Sequence, residues 1–199
     1  VSPEEESIRN LSFASKPLPE VATERHRIWL MRDTGAPSYE IQCAVFLMLN
    51  PSLASRSKND PTMRKLVGFN RRLSIRWFGV VNLFTKRTPY PAELFKEGFE
   101  DAVGELGDLV LHKMFQWAHA LNVPVVAAWG GNGFAGVQHQ WMDVRAEAIR
   151  VMAKKYAVPL KCLGYAKDGS PRHPLMLSYN DCRLLNYVVS ENQSSSATG

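Results

Sequence analysis

Cysteine is scarce in this chain: Cys43, Cys162 and Cys182 are the only three thiols in 199 residues. They form no C-x-x-C pair and leave one thiol over under any disulfide scheme, which excludes a disulfide scaffold and points to a reducing compartment. Three thiolates also cannot hold a four-cysteine iron–sulfur cluster. Long hydrophobic runs are missing too. The longest, residues 43–49, is far short of the ~20 residues that cross a bilayer, and no charged segment followed by an apolar one opens the chain. A cytoplasmic protein with no membrane partner is expected.

Several catalytic signatures are also absent. The five histidines, at 26, 112, 119, 139 and 173, are dispersed, with no H-E-x-x-H and no cysteine at ligand spacing, so no metal site is expected. No G-x-S-x-G elbow and no Walker A lysine occur, which removes the serine-hydrolase and P-loop readings. Paired carboxylates near strand ends are lacking, against two-carboxylate glycosidase chemistry. No cofactor is expected.

What is present is an ordinary core, 45% hydrophobic, in a length that suits one domain over residues 1–189, with a polar, small-residue tail at 190–199 expected to be disordered. A monomer is expected. The formal charge is +5, and its distribution is uneven. Residues 56–87 carry nine basic side chains and one acid, Asp60, for +8, which leaves −3 on the rest. Such a patch suits a polyanionic partner.

Ser2-Pro3-Glu4-Glu5 reads as a capping box opening a short helix. Residues 25–32 suit an edge strand, and 41–49 are apolar on both faces, as in a central parallel strand. Asp60-Pro61 supplies an N-cap and a first-turn proline for a helix to about residue 73. A second buried strand covers 77–84, and a helix of i, i+3, i+4 apolar spacing covers about 100–121. A strand at 123–129, a helix at 137–156, a strand at 159–164 and a last helix at 181–189 follow. This alternation predicts an α/β protein, a three-layer α/β/α arrangement with a central, mainly parallel four-stranded sheet plus an N-terminal edge strand. Ligands in such sheets bind beyond the carboxyl ends of the strands. There the sequence puts Asn50, Asn82, Trp129-Gly130 and, on the loop after the fourth strand, His173. Each has a plainer reading: Asn50-Pro51 as a turn, Asn82 as a strand-end cap, His173-Pro174 as an extended loop. Residues 131–136 match G-x-G-x-x-G, but on the third strand and without the acid that holds a ribose, which favours a tight turn at the mouth of a different pocket.

MLNPS at 48–52, DPT at 60–62, VVNLF at 80–84, AWG at 128–130 and HPL at 173–175 resemble an uncharacterised family of small bacterial and phage proteins over residues 25–188. Their order and spacing also resemble, distantly, the uracil-DNA glycosylase superfamily. That resemblance implies that Asn50 positions or activates the attacking water, that Asn82 reads the edge of the extracted base, and that His173 bonds the base oxygen as negative charge collects there. Asp60 is a second candidate for water activation, beside its N-cap reading. Asn50 stands where the superfamily often has aspartate, Ser52 where the uracil-specific branch has a tyrosine that excludes bases substituted at C5, and Leu175 where serine is common. The base would lie against Ser52, Trp129 and one of Phe69, Trp77 or Phe84, with Phe84 included in the candidate base site. Arg64, Lys65, Arg71, Arg72, Lys86, Arg87, Lys167 and Arg172 would meet DNA phosphates, and Met176 would enter the base stack. Leu177 reads as a wedge or as core.

The implied activity is that of a monofunctional DNA glycosylase, acting on a damaged or modified base in repair or phage defence and leaving an abasic site. A nucleotide-binding transferase or free-nucleotide glycosidase using the 131–136 loop, and a non-catalytic DNA-binding module, are the alternatives.

Overall fold

The computed structural model describes residues 20–37, 43–131 and 133–188. The helix expected near Ser2, the tail at 190–199 and Asn132 of the glycine loop lie outside the described residues. The strands are β1 (Glu20–Ala22), β2 (Arg27–Asp33), β3 (Cys43–Met48), β4 (Trp77–Asn82), β5 (Val125–Ala127), β6 (Leu160–Cys162) and β7 (Leu185–Asn186). The helices are α1 (Pro61–Arg72), α2 (Phe99–Val103), α3 (Gly107–Ala120) and α4 (Val137–Lys155).

All seven strands form one mixed sheet in the order β1-β2-β4-β3-β5-β6-β7. Its centre, β4-β3-β5-β6, is parallel, which matches the expected four strands. The pairs β1–β2, β2–β4 and β6–β7 are antiparallel. Side chains of a strand alternate between faces, and here the alternation sorts two cores. Val45, Leu47, Val81, Val125 and Ala127 share one with Val110, Leu111 and Met114 of α3 and Ile149 of α4. Ala44, Phe46, Phe78, Val80 and Val126 share the other with Met63, Leu66 and Phe69 of α1. Both faces of the parallel strands are thus covered by helices, which is why those runs are apolar throughout.

Three expectations are corrected. The N-terminal strand is not an edge: β1 pairs outside β2, and Trp29 and Leu30 of β2 are sealed, Trp29 edge-on to Trp117 of α3. The helix expected over 100–121 is two helices. Gly104 adopts φ +73° at the break, and a Cβ there would sit 2.3 Å from Thr85 Oγ1, whose hydroxyl donates to the Val103 carbonyl. The helix expected at 181–189 is replaced by a 3₁₀ turn (Tyr179–Asp181) and β7. Leu184 packs on the α1 side of the sheet and Tyr187 on the α3–α4 side, an opposition that an extended chain permits and one helical face does not. The capped helix α1 is as expected, with Asp60 Oδ1 accepting the Met63 N–H at 2.8 Å. Among the described residues no helix is long and apolar enough to cross a membrane.

Candidate functional site

The chain leaves β3 toward the α1 face and leaves β4 and β5 toward the α3–α4 face. The loops therefore part above the carboxyl ends of adjacent strands, where a doubly wound sheet opens a crevice. A cavity of about 860 Å³ lies there. Its walls come from the end of β3 (Met48, Asn50, Ser52), the start of α1 (Asp60 to Met63), the end of β4 and its loop (Asn82, Thr88, Pro89), the end of β5 (Trp129 to Gly131) and the loop after β6 (Lys167, Asp168, Arg172, His173).

Asn50 is half-buried, and its amide is fully engaged. Nδ2 donates to the Pro51 carbonyl at 3.0 Å and to the Thr88 carbonyl at 2.9 Å, joining the loops after β3 and β4. Those two bonds fix the orientation of the carboxamide and leave Oδ1 as its acceptor. Asn82, the last residue of β4, is 2% exposed, and neither Nδ2 nor Oδ1 has a hydrogen-bond partner. A sealed carboxamide with both ends unmet costs about 1–3 kcal/mol per group, so a fold that keeps one on a cavity wall keeps a ready donor and a ready acceptor side by side.

The loop carrying His173 is closed at its base by Arg172 N–H to the Gly164 carbonyl, 2.8 Å, and tied to β5 by Gly130 N–H to the Pro171 carbonyl, 2.9 Å. His173 then caps the 3₁₀ turn Pro174–Met176, with Nδ1 accepting the Leu175 N–H at 3.3 Å. The ring proton is therefore on Nε2. Burial lowers the imidazole below its usual range against the opposing pull of Asp60, so the ring is neutral at pH 7. Asp60 lines the same cavity but spends Oδ1 on its cap. Trp129 also lines it, edge-on to Tyr187.

The sequence-predicted residues Asn50, Ser52, Asp60, Asn82, Trp129, Lys167, Arg172, His173 and Met176 converge on this one cavity. Met176 stands 75% exposed at its margin, whereas Leu177 is core. Phe84 is elsewhere: it is buried edge-on to Phe95 and Phe99 on the α3–α4 side. Phe69 is on the core face of α1 and Trp77 starts β4 at the far end of the sheet, so none of the three proposed stacking aromatics lines the cavity.

The basic residues divide. Exposed Arg64 lies in the second turn of α1, its guanidinium on the Asn59 carbonyl. Lys65 Nζ and Arg72 lie over the Tyr179 ring at 4.1 and 4.2 Å, clasping α1 to the segment after His173. Arg71 bonds the Thr34 carbonyl, beside the Trp77 end of β4 and away from the cavity. Lys86 is 12% exposed and paired at 2.7 Å with both Glu97 and Asp101, so its charge is already answered. Arg87 reaches the Thr23 carbonyl. Next to the glycine loop, the Asp168 carboxylate lies 2.7 Å from where a Cβ on Gly131 would be, an acidic neighbour for any phosphate.

Sequence reasoning missed Arg27 and Thr88, both on the cavity wall. Arg27 precedes the apolar run 28–31 of β2, but nothing near it in the chain marks it as part of the cavity; Thr88 was hidden in a proline-punctuated loop.

Fold and cavity together define an α/β protein with helices on both faces of a mixed sheet, parallel at its centre, and a cleft at the carboxyl ends of the parallel strands. Residues 25–175 match the family described as protein of unknown function (DUF1643), and the chain belongs to that family. No curated protein and no solved structure matches it.

Proposed function

We propose that this protein is a monofunctional DNA glycosylase of uracil-DNA glycosylase-like, three-layer α/β/α build, hydrolysing the N-glycosidic bond of a damaged or modified base. The observation that carries this reading is Asn82, whose sealed, unpartnered carboxamide offers one donor and one acceptor in the pattern of a base edge. Such a base has to be flipped out of the duplex to reach it.

The neighbouring groups suit the remaining steps. Breaking the bond leaves an oxocarbenium-like sugar and an anionic base. The Nε2–H of neutral His173 donates to a base oxygen as charge builds there, an effect worth ~2.7–4 kcal/mol for one well-placed donor in other enzymes. Asn50 Oδ1, aligned by the two carbonyls that hold its amide, accepts a proton of the attacking water. A carboxamide is a weak base, so the leaving-group side carries more of the catalysis. Trp129 supplies an aromatic wall, Lys167 and Arg172 meet flanking phosphates, and Met176 fills the gap left in the stack. Ser52, small where a tyrosine would block C5, leaves room for a substituted pyrimidine.

The test is incubation with duplex and single-stranded DNA carrying a panel of modified bases, followed by alkaline cleavage. Strand breaks at one modified base are expected, reduced by 10²-fold or more in Asn50→Ala and His173→Ala. An absence of breaks above background on every substrate refutes the reading.

A further inference from the structure

Arg27 and Arg145 are both buried, and the fold treats them differently. Arg145 on α4 gives Nη1 to the Asp108 carboxylate at 2.5 Å and Nε to the Leu83 carbonyl at 3.0 Å, so it has a bonded carboxylate although its Nη2 is buried without a partner. Arg27, 3% exposed at the head of β2, gives Nη1 to the Ala54 carbonyl at 2.7 Å. Its Nε is sealed from solvent and meets no acceptor. The acids whose charges reach it make no hydrogen bond to it: Asp60 Oδ1 holds the Met63 N–H and Glu20 Oε2 the Arg56 N–H, while Glu20 Oε1 is buried without a partner. Burial, then the nearby Arg87, pushes the guanidinium down to about 10, and it stays charged at neutral pH.

A buried cation with no hydrogen-bonded counter-ion is expensive. Arginine cannot escape by losing its proton, and its planar fork fits an oxyanion better than any neutral acceptor. Arg27 lines the cavity, and the Ala54 carbonyl it holds belongs to the loop that carries Ser52 on the same wall. The exposed cations Lys167 and Arg172 are the ones open to backbone phosphates, whereas Arg27 is closed to the outside.

We propose that Arg27 is an oxyanion-binding subsite in the cavity wall, and that the base bound there carries an anionic substituent, a carboxylate or phosphonate-like group, on the side facing Ser52. The assignment of the ligand as a base rests on the glycosylase reading; the demand for an anion rests on Arg27 alone.

Calorimetric titration of the full chain tests this with four probes: 5-carboxyuracil, 5-(phosphonomethyl)uracil, the neutral isostere 5-carbamoyluracil, and thymidine 5′-monophosphate, whose anion is on the sugar. At least one anionic base should bind about tenfold or more tighter than the carboxamide. That preference should vanish in Arg27→Gln and persist in weakened form in Arg27→Lys, while affinity for the monophosphate is unchanged by either. Equal binding of charged and neutral bases by the unsubstituted protein overturns the proposal without recourse to a variant. So does a preference that survives Arg27→Gln, or an Arg27-dependent gain for the monophosphate alone. An anion preference in a protein that excises no base from DNA leaves the subsite standing and removes the glycosylase reading; excision with no anion preference does the reverse.

Discussion

Asn82 combines a stability cost with the proposed recognition role, and the two separate on substitution. Asn82→Leu removes two unmet polar groups from a sealed position, so it should raise the unfolding free energy by about 1–3 kcal/mol in urea titration while abolishing base excision. A loss of stability instead would mean that the amide is satisfied within the fold. His173 and His26 add a pH dependence, since burial holds both below their usual 6.5. A lowered folded pKa means that the folded state binds fewer protons than the unfolded one. The associated stability is whole above pH 6.5 and is lost as pH falls through the folded pKa. The urea midpoint should therefore drop on acidification below 6.5, and His173→Asn should drop less; equal drops would rule out His173 as a source. At this scale the positions of Asn50, Asn82 and His173 were legible, because Asn50 lies just past β3, Asn82 ends β4 and His173 sits on the loop after β6. Arg27 was not, because its role depends on a carbonyl at Ala54 and on acids that make no hydrogen bond to it, neither of which is written near it in the chain.

Among the elements, α1 does most to set the site's geometry. Its first turn lines the cavity, and its remote side grips Tyr179, which lies edge-on to Phe69 and under Lys65 and Arg72. A Cβ on Gly68 would sit 2.4 Å from Tyr179 Oη. Gly68→Ala should then displace the ring and the segment behind His173, costing about 1–3 kcal/mol in urea denaturation and lowering activity with it. An unchanged midpoint would mean that the ring swings aside freely. The sequence made α1 plain through Asp60-Pro61, whose capping is local chemistry. It concealed the break between α2 and α3, because the apolar spacing runs on past Gly104 and only the approach of Thr85, distant in the chain, forbids a side chain there. The C-terminal segment misled for a related reason: Leu184 and Tyr187 serve opposite faces of the sheet, which periodicity over so short a stretch does not reveal.

For the molecule as a whole, the charge pattern of the sequence overstated one surface. Residues 56–87 carry +8, yet Lys86 is answered by two carboxylates and Arg71 lies by the Trp77 end of β4, roughly 17 Å along the strand from Asn82. The cations left at the cavity include Lys167 and Arg172. Replacing both with glutamate should weaken DNA binding and lower the slope of log affinity against log salt by about 2, whereas Arg71→Glu with Arg72→Glu should leave both unchanged. Fluorescence anisotropy over a salt series distinguishes the two pairs. The pair of hydrogen bonds that the Asn50 amide donates to the Pro51 and Thr88 carbonyls has a different kind of consequence. An aspartate in its place would aim a negative oxygen at one or both of those carbonyls, and would either take up a proton or prise the two loops apart. A carboxylate at position 50 is thus opposed by the local architecture, and accommodating one requires a different path of the chain at Thr88.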